Sequence, residues 1–283
     1  MTPPALPHHP LIDAASLRRA LEGPQPPVLL DCGFDLVDPS AGERAWAAGH
    51  LPGAHHAHLD RDLAGTATGR NGRHPLPARE AFAARVGAWG IAPGVSVVVY
   101  DDHGGMYAAR AWWMLRWLGH AEVQLLDGGR AAWLAAGGAL QTTAPRVQAA
   151  PPYPLGAATM PTLDAAALLA GLSQRTLLDA RAPERYRGDV ETLDPVAGHI
   201  PGARNRLFRL NLGADGRFKP AAELRAEFEA LALPPDVVHQ CGSGVTACHN
   251  LLAMELAGLG TGTLYPGSWS EWCADPARPV ERG

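Results

Sequence analysis

Short apolar segments alternate along the chain with longer segments that have the composition of helices. Residues 95–100 and 123–126 are rich in apolar and β-branched residues and are each followed by aspartate, a pattern that predicts buried strands. Residues 108–118 and 247–256 are longer and consist mostly of good helix formers, with too many apolar residues for a surface loop. Strands that alternate with helices predict an α/β fold, a mainly parallel sheet covered by helices on both faces.

The pattern occurs twice. Gly-His-Leu-Pro-Gly-Ala at residues 49–54 returns as Gly-His-Ile-Pro-Gly-Ala at residues 198–203, and Leu-Leu-Asp precedes it in each copy, at 29–31 and 177–179. Internal repetition on this scale indicates two copies of one structural unit. The sequence therefore predicts two tandem α/β domains.

The domain boundaries follow from the repeat and from proline content. We place the N-terminal domain at residues 8–145 and the C-terminal domain at residues 161–283. The intervening residues 146–160 are rich in proline and have no periodic apolar pattern, so we expect an extended linker.

Composition limits the classes of function. The 283 residues are 47% hydrophobic and 18% charged, with a net charge of −4, which argues against a binding surface for nucleic acid or an anionic membrane. No apolar run approaches the ~20 residues of a transmembrane helix, and the first ten residues lack the order of a signal peptide. With only four cysteines, we expect a cytoplasmic protein with free thiols.

One cysteine lies in a segment with a chemical character of its own. Gln-Cys-Gly-Ser-Gly-Val-Thr-Ala at residues 240–247 follows an apolar strand and opens a helix, which puts Cys241 at the carboxyl end of the strand, where α/β proteins bind ligands. Gly242 and Gly244 allow successive backbone N–H groups to converge, and the helix adds its positive end. This cradle favours a thiolate and would hold the terminal sulfur of a persulfide. We therefore take Gly242, Gly244, Val245 and Thr246 as substrate-binding residues.

This loop, the paired hexapeptides and the closing Tyr-Pro-Gly-Ser-Trp-Ser-Glu-Trp at 265–272 resemble the tandem rhodanese family, and within it the 3-mercaptopyruvate sulfurtransferases. The resemblance implies a sulfurtransferase that moves sulfur through a persulfide on Cys241. It also implies a catalytically silent first domain that forms a wall of the site, in which Asp102 takes the place of the cysteine. No cofactor is implied.

The family binds its anionic substrate with an arginine at the position of Arg185, whose guanidinium suits a carboxylate. Many mercaptopyruvate enzymes carry a second arginine nine residues later, but here that residue is Asp194. Either carboxylate recognition is weaker or another arginine substitutes. The candidates are Arg181, Arg187 and Arg204.

Ser243 resembles the serine that acts in the family with a histidine and an aspartate of the first domain. We assign these roles to His50, in the first hexapeptide, and to Asp38. Such a relay would deliver a proton to the departing enolate of pyruvate. A bracing role for His50 is the alternative, because His199 repeats it in the second copy.

Among the other candidate groups, Cys248 is either a helix-core residue or a resolving thiol. The histidines around position 56 and near Cys241 lack the regular spacing of zinc ligands, so no metal is expected.

Three alternative functions can be compared with the residues of the Cys241 loop. A cysteine phosphatase would need an arginine six residues after the nucleophile, where Ala247 stands. A non-catalytic rhodanese-like binding module would have no need of Cys241. Thiosulfate is the alternative donor, but Gly242 and Ser243 are neutral where classical rhodaneses place Arg-Lys, which favours the monoanionic keto acid. The acceptor, whether cyanide, a small thiol or thioredoxin, leaves no trace in the sequence.

Overall fold

The computed structural model describes residues 9–146, 148–234, 236–260 and 262–283. The chain divides into two compact units. The first comprises the described residues up to His58 together with Arg79–Thr159, and the second comprises Leu59–Ala78 together with Met160–Gly283. Residues 1–8, with the start of the predicted first domain, and Val147 of the predicted linker lie outside the described residues.

The strands form one parallel sheet in each unit. Within the described residues they are β1 (Leu11–Ile12), β2 (Val28–Asp31), β3 (His55–His56), β4 (Val97–Tyr100), β5 (Val123–Leu126), β6 (Leu177–Asp179), β7 (Ala203–Asn205), β8 (Val238–Gln240) and β9 (Thr263–Leu264). The first sheet has the order β1-β5-β4-β2-β3, and the second has the order β7-β6-β8-β9. Every pair is parallel, as the alternation of strands and helices predicted.

Helices flank both sheets. In chain order they are α1 (Ala14–Leu21), α2 (Ala41–Ala48), α3 (Leu59–Asp62), α4 (Arg79–Ala88), α5 (Ala108–Leu118), α6 (Gly129–Ala135), α7 (Ala165–Ala170), α8 (Pro183–Arg187), α9 (Ala221–Ala230), α10 (Ala247–Leu256) and α11 (Ser268–Trp272). Two single turns of 3₁₀ helix lie at Leu172–Gln174 and Phe208–Asn211. None of these described helices is long and apolar enough to cross a membrane.

The two copies begin with the same capping interaction. The carboxylate of Asp13 accepts the N–H of Ser16 at 2.8 Å at the start of α1, and Asp164 accepts the N–H of Ala167 at 2.8 Å at the start of α7. An aspartate at this position satisfies an N–H group that the helix itself cannot pair.

The most apolar segments form the central elements. All four residues of β4 are buried, and so is every residue of α5 except Arg116. In the second unit, α10 is buried from its first residue through Met254. These are the strand and the helices that the apolar patterns predicted, and the α/β fold class is confirmed.

The segment predicted as a linker packs against the first unit. The N–H groups of Ala150 and Tyr153 donate to the carbonyl oxygens of Gly87 and Ala83 in α4, at 2.8 and 2.9 Å, and Tyr153 is buried. An extended proline-containing chain can still donate from its non-proline residues, so composition alone did not indicate this docking.

Candidate active site

Cys241 follows the last residue of β8, at the carboxyl end of the sheet, and is buried. Its backbone N–H donates to Ser268 Oγ at 3.1 Å, and its carbonyl oxygen accepts the N–H of Trp269 at 3.0 Å. The carbonyl oxygen of Gly242 accepts the N–H of Ser270 at 2.9 Å. The closing segment of the chain therefore holds the cysteine loop in place.

Gly244 is required by the shape of this loop. Its φ angle is +73°, and a Cβ atom there would lie 2.3 Å from the carbonyl oxygen of Pro266. Only glycine tolerates both conditions. One helical turn later, the buried Cys248 thiol donates to the Gly244 carbonyl oxygen at 3.4 Å, a contact with the base of the loop.

Strand register identifies the counterpart of Cys241 in the first copy. Asp179 pairs with Gln240 between β6 and β8, and Asp31 pairs with Tyr100 between β2 and β4. The residue after Tyr100 is Asp101, so Asp101, and not Asp102 as expected, occupies the position of the cysteine. The first loop is one residue longer than the second. An alignment based on the glycines that follow the strand therefore pairs Cys241 with Asp102.

Asp101 shows how such a loop holds an anion. One carboxylate oxygen accepts the N–H groups of His103 and Gly105, and the other accepts those of Tyr107 and Ala108, all at 2.8 Å. Four backbone donors thus converge on the side chain at the cysteine position. In the first unit the chain supplies this anion itself.

In the second unit the hydroxyl of Ser243 contacts a histidine. Ser243 Oγ lies 2.7 Å from His74 Nδ1, and His74 Nε2 lies 3.3 Å from Asp60 Oδ1. Ser243 and His74 are both buried, whereas Asp60 is exposed. The carboxylate favours a proton on Nε2, so a neutral His74 accepts from Ser243 and a protonated His74 donates to it.

The predicted partners of Ser243, His50 and Asp38, make other contacts, within the first unit. The ring nitrogens of His50 lie 2.8 Å from the carbonyl oxygen of Trp46 and 3.2 Å from that of Thr143, both in the first unit. Asp38 binds Ser40 and Arg44, which lower the pKa of its carboxyl to about 2, Arg44 having the larger effect.

His50 instead has the environment of its repeat, His199. The His50 ring stacks on Trp46 with centroids 4.4 Å apart, and the His199 ring stacks on Tyr186 at 3.9 Å. Each histidine also exchanges two backbone hydrogen bonds in an isolated antiparallel bridge, His50 with Gln141 and His199 with Glu281. Equal contacts in both copies are typical of a bracing residue.

Three arginines approach Gly242. A Cβ atom at Gly242 would lie 3.0 Å from Arg73 Nη2, 3.4 Å from Arg185 Nη1 and 3.9 Å from Arg181 Cδ. Arg181 is buried and bound to both oxygens of Asp179, with its guanidinium over the Trp269 ring at 4.9 Å. The other two guanidinium groups are the more exposed.

Buried carboxylates balance these charges. Arg185 binds Glu191 at 2.8 Å and Asp194 at 3.1 Å, and Arg73 also binds Asp194. Burial raises the pKa of Asp194, against the opposing effect of Arg73 and Arg185. Burial also acts to raise the pKa of Glu191, but the N–H of Leu193 and the guanidinium of Arg185 outweigh it, so that pKa is lowered.

The remaining predicted residues lie as follows. Arg187 pairs with Asp189 at 2.8 Å on the surface, and Arg204 donates to the carbonyl oxygen of Leu231. Val245 is buried and Thr246 half-buried, and both lie in the turn that enters α10. Among the described residues, no group of three His, Cys, Asp or Glu side chains is arranged to hold a metal ion.

His74, Asp60 and Arg73 were missed by sequence reasoning. All three belong to Leu59–Ala78, which folds with the second unit although it lies within the first copy of the repeat. The motifs shared by the two copies do not include this stretch. Its polar sequence Asp-Arg-Asp at 60–62 and Arg-His at 73–74 was the available signal.

Comparison with known proteins agrees with this architecture. A rhodanese-like domain is recognised twice, at residues 13–136 and 164–275. A Pseudomonas aeruginosa protein named "Probable 3-mercaptopyruvate sulfurtransferase" is 50% identical over 280 residues, covering 96% of this chain and 98% of that protein. The "Thiosulfate sulfurtransferase" of Bos taurus is 39% identical over 225 residues, covering 74% of this chain and 73% of its own.

A solved structure of a sulfurtransferase is also similar to this chain over nearly its full length. The 3-mercaptopyruvate sulfurtransferase from Leishmania major superposes with a TM-score of 0.83 at 31% identity, covering 94% of this chain and 75% of that one. The chain belongs to the rhodanese family and contains two copies of its domain. Its named relatives are sulfurtransferases, the class of enzyme predicted from the sequence.

We predict that Gly244→Ala destabilises the second unit by about 3 kcal/mol or more, because a methyl group there meets the Pro266 carbonyl oxygen. Gly202→Ala is the matched control: its φ angle is +74°, but no atom lies within 4 Å of the added Cβ. The control should lose only about 1 kcal/mol, the cost of the left-handed backbone. Urea unfolding of both variants measures the difference, and equal losses would contradict the steric argument.

Proposed function

We propose that this protein transfers a sulfur atom from 3-mercaptopyruvate to a thiol or cyanide acceptor, carried as sulfane sulfur in a persulfide on Cys241, with release of pyruvate. The observation that carries the proposal is the 2.7 Å contact between the Ser243 hydroxyl and the His74 ring, two residues from the nucleophile. A proton source at this position suits a donor whose leaving group is a carbanion. The name of the Pseudomonas aeruginosa relative points to the same donor.

The first half-reaction starts with attack of the Cys241 thiolate on the sulfur of the donor. The new S–S bond forms as the C–S bond breaks, and the electron pair of that bond leaves with carbon as the enolate of pyruvate. Ser243 donates a proton to the enolate carbon and recovers one from protonated His74, whose charge Asp60 stabilises. In the second half-reaction an acceptor thiolate takes the outer sulfur and restores the Cys241 thiolate.

The persulfide would be held by backbone N–H groups of the loop. The first copy provides the precedent, because its loop directs four such groups at the Asp101 carboxylate. We assign the corresponding role to the residues of the second loop predicted from the sequence. These are Gly242, Gly244, Val245 and Thr246.

Electrostatics favours a monoanionic donor. The arginines near Gly242 are matched in number by buried carboxylates, so the cluster carries no large excess of positive charge for a dianion. The arginines are Arg73, Arg181 and Arg185, and the carboxylates are Asp179, Glu191 and Asp194. Thiosulfate is the second candidate donor, supported by the two outer guanidinium groups and by the bovine relative's name.

Another histidine near the loop is a poor proton source. His239 lies in β8, two residues before Cys241, and burial lowers its pKa to about 3. The His239 ring is therefore uncharged at neutral pH. Its Nε2 atom lies 3.1 Å from the sulfur of Met254. This supports His74 in the relay.

A reducing compartment suits this chemistry, and we propose the cytoplasm. All four cysteines are free thiols. A small thiol, cyanide or thioredoxin could each accept the outer sulfur. A pure binding module would have no use for the buried cysteine and the Ser243–His74 pair.

Cys241→Ser should abolish sulfur transfer and leave the fold intact, because an alcohol cannot form the persulfide. Intact-mass measurement after donor treatment should show one added sulfur on the wild type and none on the variant. Sulfur carried on Cys248 in the variant would refute the assignment of the nucleophile.

His74→Ala should lower kcat/KM for 3-mercaptopyruvate by roughly 10²- to 10⁴-fold. Turnover of thiosulfate should fall much less, because sulfite leaves without protonation of carbon. His50→Ala serves as the control: it should reduce thermal stability and keep the donor ratio, since its ring braces the first unit. A similar loss with both donors in His74→Ala would make that residue structural.

A further inference from the structure

We infer that Arg73 is the second arginine that binds the substrate carboxylate, and that Asp194 holds it in place. The inference rests on the proposed function and names a specificity-determining residue for it. Asp194 stands where the resemblance implied a second arginine, and Arg73 reaches the site from Leu59–Ala78.

The two guanidinium groups converge beside the nucleophile. Arg73 Nη2 and Arg185 Nη1 lie 3.0 and 3.4 Å from where a Cβ atom of Gly242 would stand, and Gly242 follows Cys241 directly. Glycine leaves this space open. A substrate whose sulfur meets Cys241 can therefore bring its carboxylate, three bonds from that sulfur, between the two arginines.

The nitrogens that face Gly242 are the ones not used in ion pairs. Arg185 binds Glu191 and Asp194 through Nε and Nη2, which leaves Nη1. Arg73 binds Asp194 through Nη1, which leaves Nη2. The Nε atom of Arg73 is buried and makes no hydrogen bond within the part of the chain that the structure describes. Unused donors on two adjacent cations form a site for a carboxylate.

Asp194 makes this pairing possible. It is buried, with 3% of its side chain exposed, and it contacts both Arg73 and Arg185. Two guanidinium groups so close together would otherwise repel each other, and the carboxylate between them removes that cost. With aspartate at position 194, the second cation of the site is Arg73, held by its ion pair with Asp194.

Geometry favours Arg73 over the arginines considered from the sequence. Arg181 is 2% exposed, and its Nε and Nη2 bind Asp179 and the carbonyl oxygen of Gly198. Its Nη1 lies 3.7 Å from Glu191, so a ligand cannot reach it as it can reach Arg73. Arg187 points to the surface and Arg204 binds the backbone at Leu231. Arg73, with 28% of its side chain exposed, remains reachable by a ligand.

The test compares two donors that differ only in the carboxylate: 3-mercaptopyruvate and its methyl ester. In Arg73→Gln the ratio of kcat/KM for the acid to that for the ester should fall by about 10- to 100-fold, the usual effect of losing a charged hydrogen-bond partner. The loss should lie mainly in KM for the acid. Arg187→Gln is the matched control and should keep the wild-type ratio, because Arg187 pairs with Asp189 on the surface.

Two double variants separate the binding of the substrate carboxylate by Arg73 from the support that Asp194 gives to Arg73. Arg73→Gln/Asp194→Asn removes the ion pair but keeps polar side chains, and it should still show the reduced acid-to-ester ratio. Arg73→Asp/Asp194→Arg exchanges the charges and should recover the ratio to within about tenfold of wild type.

The outcomes distinguish this inference from the function on which it rests. If Arg73→Gln lowers acid and ester turnover equally, or changes neither, Arg73 does not bind the carboxylate and the inference is wrong, while wild-type turnover of the acid upholds the proposed function. If the wild type turns over neither acid nor ester but accepts thiosulfate, both are wrong.

Discussion

The structure of each copy depends on how a strand-to-helix loop pairs its converging backbone N–H groups. At the carboxyl end of β4 and of β8 the chain turns sharply into a buried helix, and the donors in the turn cannot pair within that helix. Such a turn requires an acceptor at its centre. In the first copy the acceptor is the Asp101 carboxylate, and in the second copy the residue at that position is Cys241. The two copies therefore differ at this position by a thiol in place of a carboxylate, and the proposed chemistry rests on that difference.

Features encoded within one local stretch of sequence were predictable. The buried strands, the central helices and the Cys241 loop depend on neighbouring residues, so apolar patterns and glycine spacing were enough to locate them. The counterpart of Cys241, predicted as Asp102 and found to be Asp101, shows the limit of prediction from local sequence. A loop longer by one residue preserves every downstream motif, and only the ladder between β2 and β4 shows which aspartate follows the strand.

The partners of Ser243 lay beyond that limit for a different reason. His74 and Asp60 belong to the second unit but lie far from the rest of it in the sequence, and no periodicity of the sequence records a contact over such an interval. The resemblance assigned His50 to the relay, whereas its repeat at His199 favoured the alternative, a bracing role. Here repetition reflects a shared structural need, since His50 and His199 brace equivalent positions in their own units.

The carboxylate in the first loop also affects how the protein meets anions in solution. Asp101 is covalently attached, so its local concentration at the loop exceeds that of any dissolved ion, and it cannot diffuse away. Sulfate or phosphate in solution therefore finds these four N–H groups already paired with the Asp101 carboxylate. Of the two corresponding loops among the described residues, the second has Cys241 in place of the carboxylate, so a dissolved anion would compete for that loop and not for the first.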